Sequence, residues 1–223
     1  MIGIAYLYIF REIDCYTQYV VLYKEISLYE IGILRYKMIL ENEKCHIEIE
    51  IDETYTVGST DNRFYDLTLN PDNYRHSDVC KTLSIHVDLF PNEFCIALIG
   101  PFYTYESDCA VLDDEILTVL QDNTITQINV FYGSIVRHIK FDCFGCNYGL
   151  YKVNKGYIIF GEMEIMMLDF DFVKKWSFSG RDIFVSVSGK KPFQICEDSI
   201  CLYDFENNYY EIDFEGKLIK TNS

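Results

Sequence analysis

The sequence has few prolines and no long apolar run. Four prolines occur in 223 residues, and no stretch approaches the roughly 20 apolar residues that a transmembrane helix requires. Residues 1–10 are apolar, but no basic residue precedes them and no small-residue cleavage site follows, so we expect a first β-strand there rather than a signal peptide. These absences predict a soluble protein without a membrane-spanning helix.

Motifs of the common enzyme and nucleotide-binding classes are also absent. Residues 189–191 (Gly-Lys-Lys) lack the upstream glycine and the downstream serine or threonine of a phosphate-binding loop. Residues 178–180 (Phe-Ser-Gly) are half of a nucleophile elbow, without the strand and helix that such an elbow joins. The 4 histidines have no spacing typical of a metal pair or an acid–base dyad. We therefore expect a protein that is not an enzyme and has no cofactor.

The cysteines do not form the pattern of a secreted disulfide framework. There are 9, an odd number, and most lie inside apolar strand patterns. This usage is typical of buried thiols in the reducing cytoplasm, which is where we expect the protein. Cys143 and Cys146 form a lone Cys-x-x-Cys pair and are weak candidates for a metal site, whose further ligand would have to be Cys196 or Cys201. The alternative is a tight turn flanked by two small thiols, so we expect no metal.

The residues that are abundant favour β-structure. The chain contains 19 tyrosines and 16 phenylalanines, together with many isoleucines and valines, and these side chains suit a pleated, half-buried surface. Alternating or short apolar runs bounded by turn residues predict strands rather than helices. The clearest early strands are expected at residues 3–10, 19–24, 45–52, 83–90 and 94–100.

A repeat in the second half resembles the blades of a β-propeller. Residues 168–171 (Leu-Asp-Phe-Asp) recur about 44 residues later as residues 212–215 (Ile-Asp-Phe-Glu), and a fainter copy occupies residues 115–133. The predicted fold is all-β, with an antiparallel, sandwich-like sheet in residues 1–109. An incomplete propeller-like array of β-meanders follows in residues 110–223, and the two regions could form one continuous domain. The alternative is a compact five-bladed propeller.

One predicted strand has carboxylates in a row. Isoleucines alternate with acidic residues between positions 47 and 52, so Glu48, Glu50 and Asp52 share one face of the strand, and Glu53 follows. One explanation is a solvated face or a charged edge strand that discourages pairing with other sheets. The other is an acidic ridge that receives lysines and arginines from a protein partner.

The tyrosines and the net charge add to this second explanation. Some of the tyrosines are expected at the surface, because a buried hydroxyl needs a hydrogen-bond partner, and Tyr209 and Tyr210 are candidate partner-binding residues beside the acidic ones. The formal net charge is −16, which repels phosphate backbones and anionic lipids. We therefore expect no nucleic-acid or membrane partner and allow a basic protein.

The sequence resembles bacterial immunity proteins in its size, its acidity, its lack of catalytic motifs and its Ile/Asn/Tyr-rich composition. That resemblance implies a cytoplasmic, non-catalytic protein that occludes the active site of a basic toxin, most often a nuclease. Two alternatives remain open. One is a glycan-acting hydrolase with paired carboxylates, drawn from Asp169, Asp171, Asp204 and Asp213, in a deep cleft. The other is a structural subunit of a larger assembly, marked by a large apolar patch.

Overall fold

The computed structural model describes residues 5–11, 19–26, 36–186 and 189–222. All regular structure in these ranges is β-strand, and they contain no helix that could cross a membrane. By compactness the chain divides into two units, Met1–Lys140 and Phe141–Ser223. The all-β class predicted from composition and alternation is confirmed.

The first unit begins with a seven-stranded sheet. Its strands are β1 (Ala5–Arg11), β2 (Tyr19–Ile26), β3 (Tyr36–Glu41), β4 (His46–Ile51), β5 (Leu67–Leu69), β6 (Cys80–Asp88) and β7 (Glu93–Pro101). The order across the sheet is β1-β2-β3-β4-β6-β7-β5. All neighbours are antiparallel except β5 and β7, which run parallel. The five early strands expected from the sequence correspond to β1, β2, β4, β6 and β7, with ends that differ by a few residues.

Three four-stranded meanders follow along the chain. The first contains β8 (Ala110–Asp113), β9 (Ile116–Gln121), β10 (Thr124–Asn129) and β11 (Ser134–Lys140). The second contains β12 (Asn147–Val153), β13 (Gly156–Gly161), β14 (Ile165–Leu168) and β15 (Lys174–Phe178). The third contains β16 (Phe193–Ile195), β17 (Ile200–Tyr203), β18 (Tyr209–Ile212) and β19 (Leu218–Thr221).

In each meander successive strands pair antiparallel in chain order, which is the construction of a propeller blade. The predicted propeller-like array of meanders is therefore confirmed. The described strands form one seven-stranded and three four-stranded sheets, which matches the sheet-plus-array prediction rather than five blades. The predicted change of region between residues 109 and 110 lies between β7 and β8, whereas the compact units divide after Lys140. The division at residue 109 stays a prediction.

The seven-stranded sheet and the first meander share one hydrophobic core. Ile47, Ile49 and Ile85 from the sheet have no exposed surface, and they belong to the same buried cluster as Leu117 and Val119 from the meander. Side chains of a strand alternate between its two faces, and the buried apolar residues of β3, β4, β6 and β7 point into this shared layer. The first unit is therefore sandwich-like, as the sequence predicts for its N-terminal part.

The second unit has a core in which aromatic rings are prominent. Phe193 of β16 stacks on Tyr151 of β12 with ring centroids 4.7 Å apart and on Phe160 of β13 at 4.9 Å. Phe184 has no exposed surface, and Trp176 packs against the same cluster. The second and third meanders are thus joined through stacked rings, each of which buries a large apolar area.

The acidic repeat noticed in the sequence is a repeated turn. Asp169 Oδ1 accepts the N–H of Asp171 at 2.9 Å and of Val173 at 2.8 Å. Asp213 Oδ1 does the same for residues 215 and 217 at 3.0 and 2.8 Å. Each turn joins the third and fourth strands of its meander, so the 44-residue spacing reflects equivalent positions in successive sheets. Asp204 closes a third turn of this kind by accepting the N–H of Asn208 at 2.8 Å.

The fourth residue of each turn has a positive φ, which is 60° at Phe172, 65° at Asn207 and 78° at Gly216. Glycine adopts this conformation without the steric cost that a Cβ brings. At Gly216 an added Cβ would also lie 2.5 Å from Cδ2 of Trp176. Glycine is therefore required there by both backbone conformation and packing.

We predict that Gly216→Ala lowers the free energy of unfolding by at least about 2 kcal/mol, because left-handed strain and ring overlap add. The matched control is Gly189→Ala in the same unit, where φ is also 78° but no atom lies within 4 Å of the added Cβ. The free energy of unfolding of that control should fall by only about 1 kcal/mol. Urea unfolding of both variants measures the difference, and equal losses would show that Trp176 is not the constraint.

Candidate functional site

The predicted acidic ridge lies at the centre of the seven-stranded sheet. β4 pairs with β3 on one side and with β6 on the other, so it is not an edge strand and its charges do not protect an edge. Ile47 and Ile49 point into the core with no exposed surface, while Glu48 and Glu50 are half-buried on the opposite face. The alternation predicted for this strand is confirmed.

Cations of this chain lie beside the ridge. Lys37 on β3 forms an ion pair with Glu48. Arg63 reaches Glu50 Oε1 with its Nη1 and Nη2 at 3.1 and 3.2 Å. Lys81 Nζ on β6 lies 3.6 Å from Glu53 Oε1. The ridge face therefore carries Lys37 and Arg63 beside Glu48 and Glu50. Lys81 alternates with the β6 residues that are opposite Glu48 and Glu50, so its pair with Glu53 lies outside this row.

Asp52 is the most enclosed of the ridge carboxylates, with 6% of its side chain exposed. It accepts hydrogen bonds from Thr54 Oγ1 at 2.6 Å and from the Tyr65 hydroxyl at 2.7 Å. Arg63 Nε donates to the Tyr65 hydroxyl at 2.6 Å and lies 3.2 Å from Asp52 Oδ2. Burial opposes ionisation, but these partners together outweigh it and hold the pKa of Asp52 below its ordinary value of 3.8. Asp52 therefore anchors the loop that carries Arg63.

A hollow of about 200 Å³ opens over this face. Its lining includes Lys37, Glu48, Glu50, Arg63 and Phe64. Clefts that enclose a small molecule usually occupy roughly 300–1,000 Å³ and have mostly apolar walls. This hollow is smaller and highly charged, so it suits a protruding side chain of a protein better than an enclosed small molecule.

The hollow also contains a histidine–cysteine pair that sequence reasoning missed. His86 Nδ1 lies 3.3 Å from Cys95 Sγ, and His86 Nε2 lies 3.8 Å from Glu93 Oε2. Burial and the neighbouring Asp66 raise the pKa of the Cys95 thiol, so the thiol is protonated near neutral pH and is not an activated nucleophile. The sequence feature that could have revealed this pair is the β6–β7 hairpin, because its register places residues 86 and 95 directly opposite each other.

The two candidate tyrosines belong to the second unit, whereas the ridge belongs to the first. Tyr210 is 5% exposed and belongs to the aromatic core. Its hydroxyl donates to Asp204 Oδ2 at 2.9 Å and accepts the N–H of Arg181 at 3.0 Å. Tyr209 is half-buried on the opposite face of β18, and its hydroxyl donates to Glu211 Oε2 at 3.0 Å. Tyr210 is therefore a core residue with a satisfied hydroxyl, and Tyr209 is the more accessible of the two.

Cys143 and Cys146 flank a tight turn between β11 and β12. Gly145 between them has a φ of 81°, and Cys143 Sγ lies 3.5 Å from the Gly145 carbonyl oxygen. In the described ranges, no three histidine, cysteine, aspartate or glutamate side chains converge as a metal site would require. The arrangement corresponds to the turn that the sequence leaves open as the alternative to metal binding.

The aspartates considered for hydrolysis are engaged in turns. Asp169, Asp204 and Asp213 each accept backbone N–H groups of their own loops, and Asp171 lies inside the turn that Asp169 closes. A glycosidase instead needs two carboxyl groups roughly 5–9.5 Å apart across a bound sugar. The acidic repeat thus has a structural explanation in turn closure.

Neither a protein-family model nor a curated protein matches the chain. Among solved structures it is similar to BamB from Moraxella catarrhalis, with 10% identity, a TM-score of 0.44 and coverage of 92% of this chain and 67% of that one. The AfRom2 CNH domain is 10% identical with a TM-score of 0.41, and the match covers 96% of this chain and 83% of that one. Hsv2 from Kluyvelomyces marxianus is 9% identical with a TM-score of 0.38, and the match covers 69% of this chain and 46% of that one. BamB and the CNH domain have propeller-like folds. At these TM-scores the likeness carries no inference, and the fold rests on the strand order.

We predict that Asp52→Asn lowers the free energy of unfolding by about 2 kcal/mol at pH 7, because charged hydrogen bonds to Thr54, Tyr65 and Arg63 are lost. The control Glu53→Gln, at a side chain that is 72% exposed, should change it little. Because the folded-state pKa of Asp52 is lowered, its contribution is complete above pH 3.8 and is lost as the pH falls through the folded value. The gap between wild type and Asp52→Asn should therefore narrow in acid, and a gap independent of pH would contradict this assignment.

Proposed function

We propose that this chain is a non-catalytic, cytoplasmic binding protein of the immunity-protein kind, and that the β4 face receives a basic protein toxin. The observation that carries the proposal is the row of outward carboxylates on β4, which has a paired strand on each side at the centre of the sheet. A net charge of −16 supports it further, because like charges exclude acidic partners and opposite charges speed the encounter with basic ones.

The internal ion pairs are compatible with such a partner. Lys37 and Arg63 are 39% and 45% exposed, and exposed ion pairs contribute only about 0–1 kcal/mol each. A partner arginine can therefore take over Glu48 while Lys37 turns to solvent. At Glu50 it can replace the Nη contacts of Arg63, whose Nε stays on the Tyr65 hydroxyl. Asp52 is enclosed and stays in its own network, so the exchangeable acceptors are Glu48, Glu50 and Glu53.

A nuclease fits this description best among basic toxins. An enzyme that holds RNA or DNA needs clustered lysines and arginines to neutralise phosphates. An acidic row on an immunity protein can occupy those same cations and so block the substrate. In this reading the hollow of about 200 Å³ accepts one protruding basic side chain between Glu48 and Glu50.

The alternative of a glycan-acting hydrolase has less support in the site. It requires a deep cleft with two carboxyl groups facing a sugar, and the aspartates proposed for it close turns. The alternative of a structural subunit stays a prediction that no observation favours.

The first test is capture of the tagged chain from its own host, followed by mass spectrometry and an assay of the captured protein. We expect one basic protein in equal amount, released by high salt, whose nuclease activity disappears when the chain is added back. Recovery of no partner, or of a partner whose activity is unaffected, would overturn the proposal.

We further predict that Glu48→Gln with Glu50→Gln weakens binding of that partner at least tenfold. The double change removes two negative charges and leaves the Lys37 ammonium and the Nη groups of Arg63 without their carboxylates, so the face becomes less favourable for a basic protein. The matched control is Glu197→Gln with Asp198→Asn, two exposed residues of the second unit, which alters the net charge equally. Titration calorimetry at two salt concentrations measures the effect. Equal losses for both double variants would mean that the total charge, not the β4 face, drives binding.

A further inference from the structure

Two thiols meet at the hairpin that joins β16 and β17. Cys196 follows β16, and its N–H donates to the Ser199 carbonyl oxygen at 2.8 Å, which closes the hairpin. Cys201 lies in β17, and its Sγ is 3.0 Å from Cys196 Sγ. Both are free thiols and both are half-buried.

The strand register places the pair away from the core. Ile195 is opposite Ile200, and both pack in or against the aromatic core of the second unit. Cys196 and Cys201 are one residue further along each strand, so they lie on the other face as diagonal neighbours. The thiols are therefore held together by the hairpin on a face that solvent can reach.

We propose that Cys196 and Cys201 form a dithiol site that reacts with small-molecule disulfides, such as glutathione disulfide, to give an intramolecular disulfide. A disulfide needs its sulfurs about 2.05 Å apart, and the thiols have only to close from 3.0 Å. The site is independent of the proposed binding face, which lies in the other unit.

The chemistry has two exchange steps. One thiolate attacks glutathione disulfide, which forms a mixed disulfide and releases one glutathione thiolate. The second cysteine then loses its proton and attacks the protein sulfur of the mixed disulfide, which releases the second glutathione. Glutathione disulfide is reduced to two thiols, and the two cysteines are oxidised to one disulfide, so atoms and electrons balance.

The neighbouring groups set the rate of this exchange. Burial and the adjacent Cys201 thiol raise the pKa of the Cys196 thiol to about 11, and Glu211 contributes in the same direction. The Tyr209 hydroxyl lies 3.4 Å from Cys201 Sγ, and Lys220 of β19 is opposite Glu211. Because the thiolate is the attacking species, attack by Cys196 should be slow at pH 7 and should become faster as the pH rises.

The sequence makes the product easy to detect. Trypsin cuts after Lys190 and Lys217, and residues 191–217 contain Cys196 and Cys201 but no other cysteine. The full reduced chain is incubated in glutathione buffers of varied composition, quenched in acid, alkylated and digested. We expect this peptide to lose two hydrogens and to carry no alkyl label, in a proportion that follows glutathione disulfide divided by the square of glutathione.

The variants Cys196→Ser and Cys201→Ser test the intramolecular step separately. Each should stop at a stable mixed disulfide with glutathione, because the second sulfur is missing. Circular dichroism verifies that each variant is folded. Two variants are used so that the test still stands if one of them fails to fold. If the wild-type peptide also retains glutathione, or is fully alkylated in every buffer, the thiols do not form the site and the proposal is wrong.

Discussion

The packing of Ile47 and Ile49 between the seven-stranded sheet and the first meander is the constraint on which the acidic face depends. Both side chains are fully buried, and the two-residue period of a strand then forces Glu48 and Glu50 to the opposite side. A slip of one residue would bury the carboxylates and expose the isoleucines. The charged face is therefore fixed by the core behind it, and β3 and β6 hold β4 in register on both sides.

Sequence reasoning succeeded where a pattern is local. The alternation around Glu48 and the acidic repeat at Asp169 and Asp213 each depend on neighbours within a few residues, and both gave correct local structure. It could not find the partners of the carboxylates, because Arg63 reaches Glu50 from a loop 13 positions away. It also could not place Tyr210, whose hydroxyl is satisfied by Asp204 in the interior. Pairing across strands depends on register, which composition and periodicity do not determine.

The hydrophobic cores of the two units are built from different kinds of side chain. The first is filled mainly by isoleucine, leucine and valine, whereas the second relies on stacked rings such as Phe193 on Tyr151. Rings carry more apolar area per residue, so the short strands β16 and β18 can still bury Phe193 and Tyr210, whereas β19 is exposed. A tyrosine in such a core needs a partner for its hydroxyl, and an aspartate that already closes a turn supplies it. Part of the negative charge of this chain is thus structural.

The repeated aspartate turn has a wider consequence. The carboxylate that closes it and the N–H groups that it accepts all lie within five consecutive residues. The same five-residue form joins second to third strands at Asp204 and third to fourth strands at Asp213. One five-residue turn thus connects different pairs of strands within the same chain. Protein engineers could transplant it into unrelated antiparallel sheets, where a loop of fixed length and fixed shape is wanted.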